Sequence, residues 1–112
     1  MRRGEVWQII LDPTVGAEIR KTRPAVIVND DAIGVLPLKV IVPITDWKPH
    51  YAKAPWMVRV APTQANGLSK ISAADAFQVR SVSQTRFIRK LGQLSKRQME
   101  EIGRALAAVL AI

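Results

Sequence analysis

Few side chains in this sequence could act as a nucleophile, acid or base. The 112 residues contain no cysteine and a single histidine, His50. A cysteine nucleophile, a thiolate metal site and a disulfide are therefore excluded, and one chain cannot supply a multi-histidine metal site. We expect chemistry that needs no metal and no cofactor, carried by carboxylates, hydroxyls and arginines.

Basic residues outnumber acidic ones by nearly two to one. Seventeen Lys and Arg against nine Asp and Glu give a net charge of +8. Such a surface attracts polyanions, which favours nucleic acid as a partner, although an acidic protein would benefit equally. No stretch approaches the roughly 18 apolar residues of a membrane helix, so we expect no membrane association and a cytoplasmic location.

One short stretch interleaves aromatic and charged side chains. It contains Trp47, Lys48, His50, Tyr51 and Lys53. Proteins bind single-stranded RNA by stacking its bases on aromatic faces while cations hold the backbone. We therefore predict that this stretch, called here the aromatic loop, binds RNA. His50 alone would also fit an ordinary exposed loop histidine.

Short runs of β-branched and aromatic residues alternate with turn residues along most of the chain. Each run is bounded by Pro, Asn, Asp, Gly or Ser, as strands are in small β-proteins. Residues 13–21 form a polar connection, called here the first loop, that is too long for a tight hairpin. We assign Trp7, Phe77 and Phe87 to the core. The predicted strands span residues 4–11, 24–29, 38–44, 56–61, 74–79 and 85–90.

The C-terminal end has a different pattern. Ser95 and Gln98 form a capping box, and apolar residues follow at helical spacing on one face. Five or six strands followed by one amphipathic helix predict a single mainly β domain over residues 1–112, an antiparallel barrel that the helix closes or covers. The apolar helix positions are Met99, Ile102, Leu106, Val109 and Leu110.

Several short motifs extend over nearly the whole chain: GEVW at 4–7, LDPT at 11–14, TRPAVIV at 22–28, VPIT at 42–45, QVRS at 78–81 and LGQLS at 91–95. In residues and spacing they resemble toxins of the MazF/PemK family. The resemblance implies a small SH3-like antiparallel β-barrel of the CcdB/PemK type with a C-terminal helix. It also implies a homodimer that cleaves single-stranded RNA at short motifs and is neutralised by an acidic antitoxin protein.

The same resemblance assigns residues to the site. The Arg of the Arg-Pro pair and the Thr that ends the third strand form the catalytic core of the family, which corresponds to Arg23 and Thr45. Glu18 matches an acidic position in the first loop, and Asp75 matches a carboxylate that faces the RNA groove.

A second basic cluster lies near the end of the strand region. It comprises Arg80, Arg86, Arg89 and Lys90, and it could follow the RNA backbone or form a solvated strand face. We count Gln78, Arg80 and Arg86 among the predicted RNA-binding residues.

Metal-free RNA cleavage uses the 2′-hydroxyl of the substrate as nucleophile, so the protein must remove one proton, donate another and stabilise charge on the phosphorus. Arg23 suits the last task because its planar guanidinium can hold two phosphate oxygens. Thr45 can donate a hydrogen bond to a phosphate oxygen. The general base stays open between Glu18, Asp75 and His50.

Two other functions fit the same pattern. One is a non-enzymatic toxin of this shape that binds a protein target such as gyrase, and the other is an RNA-binding module without chemistry. Incubation of the purified protein with RNA and a chelator distinguishes them, because only the nuclease yields fragments.

Overall fold

Seven strands and one α-helix make up the part of the chain that the computed structural model describes, residues 1–34 and 36–112. Three short 3₁₀ turns lie between them, at Pro49–Lys53, Ala76–Gln78 and Gln84–Arg86. The strands are β1 (Glu5–Ile10), β2 (Thr22–Ile27), β3 (Leu38–Asp46), β4 (Met57–Val60), β5 (Ser72–Asp75), β6 (Arg80–Ser83) and β7 (Phe87–Gln93), and the helix is α1 (Lys96–Leu110).

The predicted strand over residues 74–79 is wrong, because only its first two residues, Ala74 and Asp75, belong to a strand. β5 ends at Asp75, whose carboxylate accepts a hydrogen bond from the main-chain N of Phe77 at 3.1 Å. Asp readily makes this local bond, which turns the chain out of the strand direction. The chain then forms a 3₁₀ turn before β6 begins at Arg80, so there are seven strands instead of five or six.

All strand pairs are antiparallel, in the order β4-β5-β3-β2-β1-β7, with β6 paired to β3. β3 has three neighbours: its first half pairs with β6, its middle with β2 and its last residues with β5. The antiparallel, mainly β architecture confirms the predicted fold class. Among the described residues, however, no ladder joins the two ends of the sheet, so the predicted barrel is open.

Each face of the sheet carries its own apolar cluster. Val26 belongs to the cluster that packs under α1, whereas its neighbours Ala25 and Ile27 belong to the cluster on the opposite face. This alternation follows from the two-residue repeat of a strand. Ile19 of the first loop and Phe87 pack against the second cluster. A loop therefore covers the face of the sheet that the helix does not cover.

The C-terminal helix has the predicted start, and its predicted apolar positions pack on the sheet except Leu110, which is 53% exposed at the last residue of the helix. The Ser95 side chain accepts from the N of Gln98, and the Gln98 side chain accepts from the N of Ser95, so both halves of the capping box are present. Ile102 and Ala105 are buried against the sheet. Within the described residues, none of the helical segments combines the length and apolar character that a bilayer crossing requires.

Candidate active site at the divergence of β2 and β3

A cleft opens where β2 and β3 separate. Their ladder covers only Ala25–Ile27 and Ile41–Pro43. Beyond it, β2 stays paired with β1 as far as Thr22, while β3 pairs with β5 from Ile44 onward. Pro24, the residue that would continue this ladder on β2, has no N–H to donate. A cavity of about 350 Å³ lies between the diverging strands.

The cleft brings the two predicted catalytic residues together. Ala25 lies opposite Pro43, and Arg23 and Thr45 each lie two residues further along their strands, on the same face as this pair. Residues directly opposite in an antiparallel pair share one face of the sheet. Both residues also line the 350 Å³ cavity. A guanidinium and a hydroxyl thus face one space, and their catalytic role remains a prediction.

The Nε of Arg23 is buried and has no hydrogen-bond partner within residues 1–34 and 36–112. A buried donor left unpaired costs about 1–3 kcal/mol, and such groups in folded proteins are frequently functional. The guanidinium keeps its charge at any workable pH. Arg23 is therefore placed to bind an anion, and the burial of its Nε lowers the free energy of unfolding.

The cavity also contains cations that the sequence motifs did not single out as site residues. Lys70 forms a salt bridge with Asp46 at 3.0 Å, and both side chains are at least half exposed, so the pair itself adds little stability. Arg89 of β7 lines the same cavity. Lys70 lies 24 residues from Asp46 in sequence, so no local pattern could have revealed the pair.

Asp75 lies on the same face of the sheet but does not line the cavity. The β3–β5 register, continued by one residue beyond Ile44 and Ala74, places it opposite Pro43. Only 5% of Asp75 is exposed, and this burial raises the pKa of its carboxyl despite hydrogen bonds from Phe77 and Gln78. A raised pKa brings a carboxylate closer to the range useful for a general base.

Glu18 lies in a second cavity. This cavity, of about 470 Å³, is lined by residues 17–19 of the first loop, by residues 77–80 and by Pro43. The carboxylate of Glu18 accepts from the N of Val15 at 2.6 Å. Glu18 and Arg23 thus line separate spaces, and the general base remains a prediction.

The predicted RNA-binding residues Gln78, Arg80 and Arg86 all bond to the main chain around the first loop. Gln78 accepts from the N of Ile19 at 2.5 Å and donates to the O of Ala17 at 3.2 Å. Arg80 donates to Leu11, and Arg86 donates to Ile10 and Asp12. A guanidinium has five donor hydrogens, so both arginines retain donors for phosphate.

The aromatic loop follows directly after the cavity residue Asp46. Trp47 and Tyr51 are half-buried and pack edge to face, with ring centroids 5.8 Å apart. His50 packs on Tyr51 with centroids 4.6 Å apart, while Lys48 and Lys53 are exposed. The loop therefore presents cations and a ring edge beside the cleft, and its binding of RNA remains a prediction.

The aromatic residues assigned to the core divide into two groups. Trp7 and Phe87 pack edge to face at 5.6 Å against the second apolar cluster, which agrees with the prediction. The assignment of Phe77 is wrong, because 65% of this residue is exposed. The cause is the turn after Asp75, which buries Ala76 and directs its neighbour outward.

Comparison with known proteins agrees with this geometry. A family model described as PemK-like, MazF-like toxin of type II toxin-antitoxin system matches residues 2–110. Endoribonuclease MazF9 of Mycobacterium tuberculosis is 34% identical over 95% of this chain and 92% of that protein. The probable endoribonuclease MazF of Mycolicibacterium smegmatis is 31% identical over 100% of this chain and 98% of that protein.

Solved structures share the fold. MazF from Deinococcus radiodurans superposes with a TM-score of 0.80 at 23% identity, covering 100% of this chain and 97% of that one. A mycobacterial endoribonuclease in complex with its cognate antitoxin gives a TM-score of 0.79 at 21% identity, covering 100% and 96%. Together with the match over residues 2–110, these similarities show that the chain belongs to the PemK/MazF-like family of type II toxin-antitoxin toxins.

Proposed function

We propose that this chain is an endoribonuclease toxin that cleaves single-stranded RNA in the cytoplasm, where messenger RNA is present. The observation that carries the proposal is that Arg23, whose buried Nε has no partner among the described residues, and Thr45 line one cavity between two diverging strands. Relatives that align over nearly the whole chain carry the name endoribonuclease. Family membership and the arrangement of Arg23 and Thr45 around one cavity therefore support the same chemistry.

Cleavage begins when the 2′-hydroxyl of one nucleotide attacks the adjacent phosphorus. The bond from phosphorus to the 5′-oxygen of the next nucleotide breaks, which yields a 2′,3′-cyclic phosphate and a 5′-hydroxyl end. Arg23 stabilises the negative charge that accumulates on the phosphate oxygens, and Thr45 donates a hydrogen bond to one of them. The charge of Arg23 is placed before substrate arrives, so little reorganisation is needed in the transition state.

Two proton transfers complete the reaction: a base removes the proton of the 2′-hydroxyl, and an acid protonates the departing 5′-oxygen. Asp75, Glu18 and His50 are the candidates for the base. Burial supports Asp75, because it raises the pKa of this carboxyl. The first loop, which Gln78 ties to the turn after Asp75, would have to bring Glu18 closer to the cleft if Glu18 is the base.

The proposal is tested by incubating the purified protein with a long RNA in excess EDTA and mapping the ends of the products. We expect fragments with 2′,3′-cyclic phosphate and 5′-hydroxyl ends at a short recurring motif. A strict magnesium requirement contradicts the chemistry. Bound but intact RNA indicates a binding module, and neither binding nor cleavage favours a toxin that acts on a protein target.

We further propose that the partner that neutralises the toxin is an acidic antitoxin protein. One similar solved structure holds an endoribonuclease together with its cognate antitoxin. The net charge of +8 attracts carboxylates as well as phosphates. An acidic peptide should displace an uncleavable RNA, less effectively after charge reversal at Lys48 and Lys53. Simultaneous binding of peptide and RNA would contradict a shared groove.

The active form is proposed to be a homodimer. Ile33, Leu36 and Leu38 expose 73%, 63% and 43% of their surface beside a largely apolar cavity of about 310 Å³. Exposed apolar patches of this kind mark interfaces, and a symmetric partner covers such a patch on both chains. Wild-type protein should sediment as a dimer, and Leu36→Asp should dissociate it while Ile112→Asp, at the exposed C-terminus, should not. A fully active wild-type monomer contradicts the assembly.

A further inference from the structure

Phe77 is an exposed aromatic residue that the fold holds firmly. Two main-chain hydrogen bonds fix its turn: the N of Phe77 donates to the carboxylate of Asp75 at 3.1 Å, and the N of Ala76 donates to the O of Trp56 at 2.9 Å. The ring nevertheless remains 65% exposed. An ordered backbone that presents a large apolar ring to solvent is typical of a binding surface.

Trp56 orients this ring. The two rings pack edge to face, with centroids 6.0 Å apart and an angle of 66° between their planes. Trp56 is itself 38% exposed, so the pair stabilises a ring orientation without burying either ring. Edge-to-face contact between two rings is favourable beyond the area that it buries, so it favours one arrangement of the Phe77 ring.

The 470 Å³ cavity lies directly beside Phe77. Its volume falls within the range of about 300–1,000 Å³ that is usual for small-ligand sites. The groups that line it include a carboxylate on Glu18, an amide on Gln78 and a guanidinium on Arg80. These supply both acceptors and donors, which is what recognition of a base edge requires.

The cavity is also close to the proposed site of cleavage. Pro43 lines it and precedes Thr45 by two residues on the same face of β3, a separation of about 6.6 Å at 3.3 Å per residue. A nucleotide that neighbours the cleaved phosphate can therefore reach this space. A nucleobase could stack on the exposed ring, form hydrogen bonds with the polar groups of the cavity and span the distance to Thr45.

We propose that Phe77, oriented by Trp56, is the stacking platform of a nucleobase subsite whose polar lining selects the base next to the cleaved phosphate. The inference rests on the proposed endoribonuclease function and adds its specificity determinant. Stacking on Phe77 supplies affinity for any base, because every base has a π-face. Glu18 and Arg80 supply discrimination through hydrogen bonds to the base edge.

The test uses short RNAs that contain the mapped motif, with 2′-deoxyribose at the cleaved nucleotide so that the nucleophile is absent. Affinity is measured for the intact RNA and for a series in which one neighbouring base at a time is removed. Phe77→Ala should weaken binding of the intact RNA by about 5- to 150-fold, the range expected for one base stacked on an aromatic ring. Removal of one particular base should weaken wild-type binding equally and leave Phe77→Ala unaffected.

Two further variants serve as controls. Phe77→Tyr keeps a ring and should restore affinity, which separates stacking from a general effect on folding. Ile88→Ala removes another exposed apolar side chain, 54% exposed on β7, and should leave affinity unchanged.

Two results would overturn the subsite while the proposed function stands. One is wild-type affinity of Phe77→Ala for every RNA although the wild-type protein cleaves. The other is a Phe77→Ala variant that binds RNA normally but loses affinity for the acidic peptide, which would assign this surface to a protein partner. If wild-type protein neither binds nor cleaves RNA, the proposed function itself fails.

Discussion

Replacing Arg23 by Met should change RNA cleavage and stability in opposite directions. Loss of a positioned charge or hydrogen-bond donor at a transition state lowers kcat about 10²- to 10³-fold. The same side chain buries an Nε that has no partner among the described residues. Met fills a similar volume without a donor, so the unpaired group disappears and the free energy of unfolding should rise by about 1 kcal/mol.

The assay pairs turnover of a labelled RNA at saturating concentration with urea denaturation of the same preparations. Arg23→Lys keeps the charge but loses the planar fork, so its turnover should lie between those of wild type and Arg23→Met. Arg97→Met is the matched control, because its side chain is 89% exposed on α1 and pairs only with Glu101 in the described chain. It should change neither quantity appreciably.

Either of two results would refute this reasoning. Unchanged turnover in Arg23→Met removes Arg23 from the active site. A loss of stability greater than about 1 kcal/mol would mean that the guanidinium satisfies a structural need, contrary to the cost expected for an unpaired buried donor.

Three further changes test the electrostatics and packing around the site. Burial raises the pKa of Asp75 above its ordinary value of 3.8. Its contribution to stability is therefore present below pH 3.8 and is lost as the pH rises through the raised pKa. Asp75→Asn should increase the free energy of unfolding at neutral pH, measured by urea titration. Burial alone would raise the pKa of Glu5, but hydrogen bonds from Trp7 and neighbouring groups lower it to about 2, so its contribution is present above pH 4.5 and lost as pH falls toward 2. Glu5→Gln should therefore lower the free energy of unfolding by about 2 kcal/mol at neutral pH and by much less in acid. An effect that does not change with pH would contradict the assignment. A Cβ on Gly92 would lie 2.2 Å from a main-chain oxygen, so Gly92→Ala should lower Tm strongly. A Cβ on Gly103 in α1 would meet no described atom within 4 Å apart from the adjacent helix backbone, so Gly103→Ala should raise the free energy of unfolding by about 1 kcal/mol.

The elements that the sequence predicted well are those with a strong local signal. The helix begins at the capping box formed by Ser95 and Gln98, and its apolar side faces the sheet. Most strands follow runs of β-branched residues that pack on one or both faces. These patterns are readable because backbone geometry repeats every 2 or 3.6 residues, whatever the rest of the chain does.

The turn after Asp75 shows where such reading fails. A short run such as Ala76, Phe77 and Gln78 cannot reveal that the Asp75 carboxylate will accept from the main-chain N–H two residues later. This bond, together with the one from the N of Ala76 to the O of Trp56, forms the turn between β5 and β6 that leaves Phe77 exposed. Whether such a residue is buried depends on whether the backbone continues the strand or bonds to a nearby side chain, and hydrophobicity does not reveal this choice.

By itself, the sequence determined the absence of thiol chemistry, the basic character of the surface, the mainly β fold with its terminal helix, and the motifs that contain Arg23 and Thr45. Only the tertiary structure decided that β2 and β3 diverge beyond Pro43, that the cleft between them contains both residues, and that Lys70 joins it from 24 residues beyond Asp46. The physical reason is that this cavity forms where β3 leaves β2 and pairs with β5 instead. Such a change of strand partner depends on residues far apart in sequence and therefore on the whole sheet.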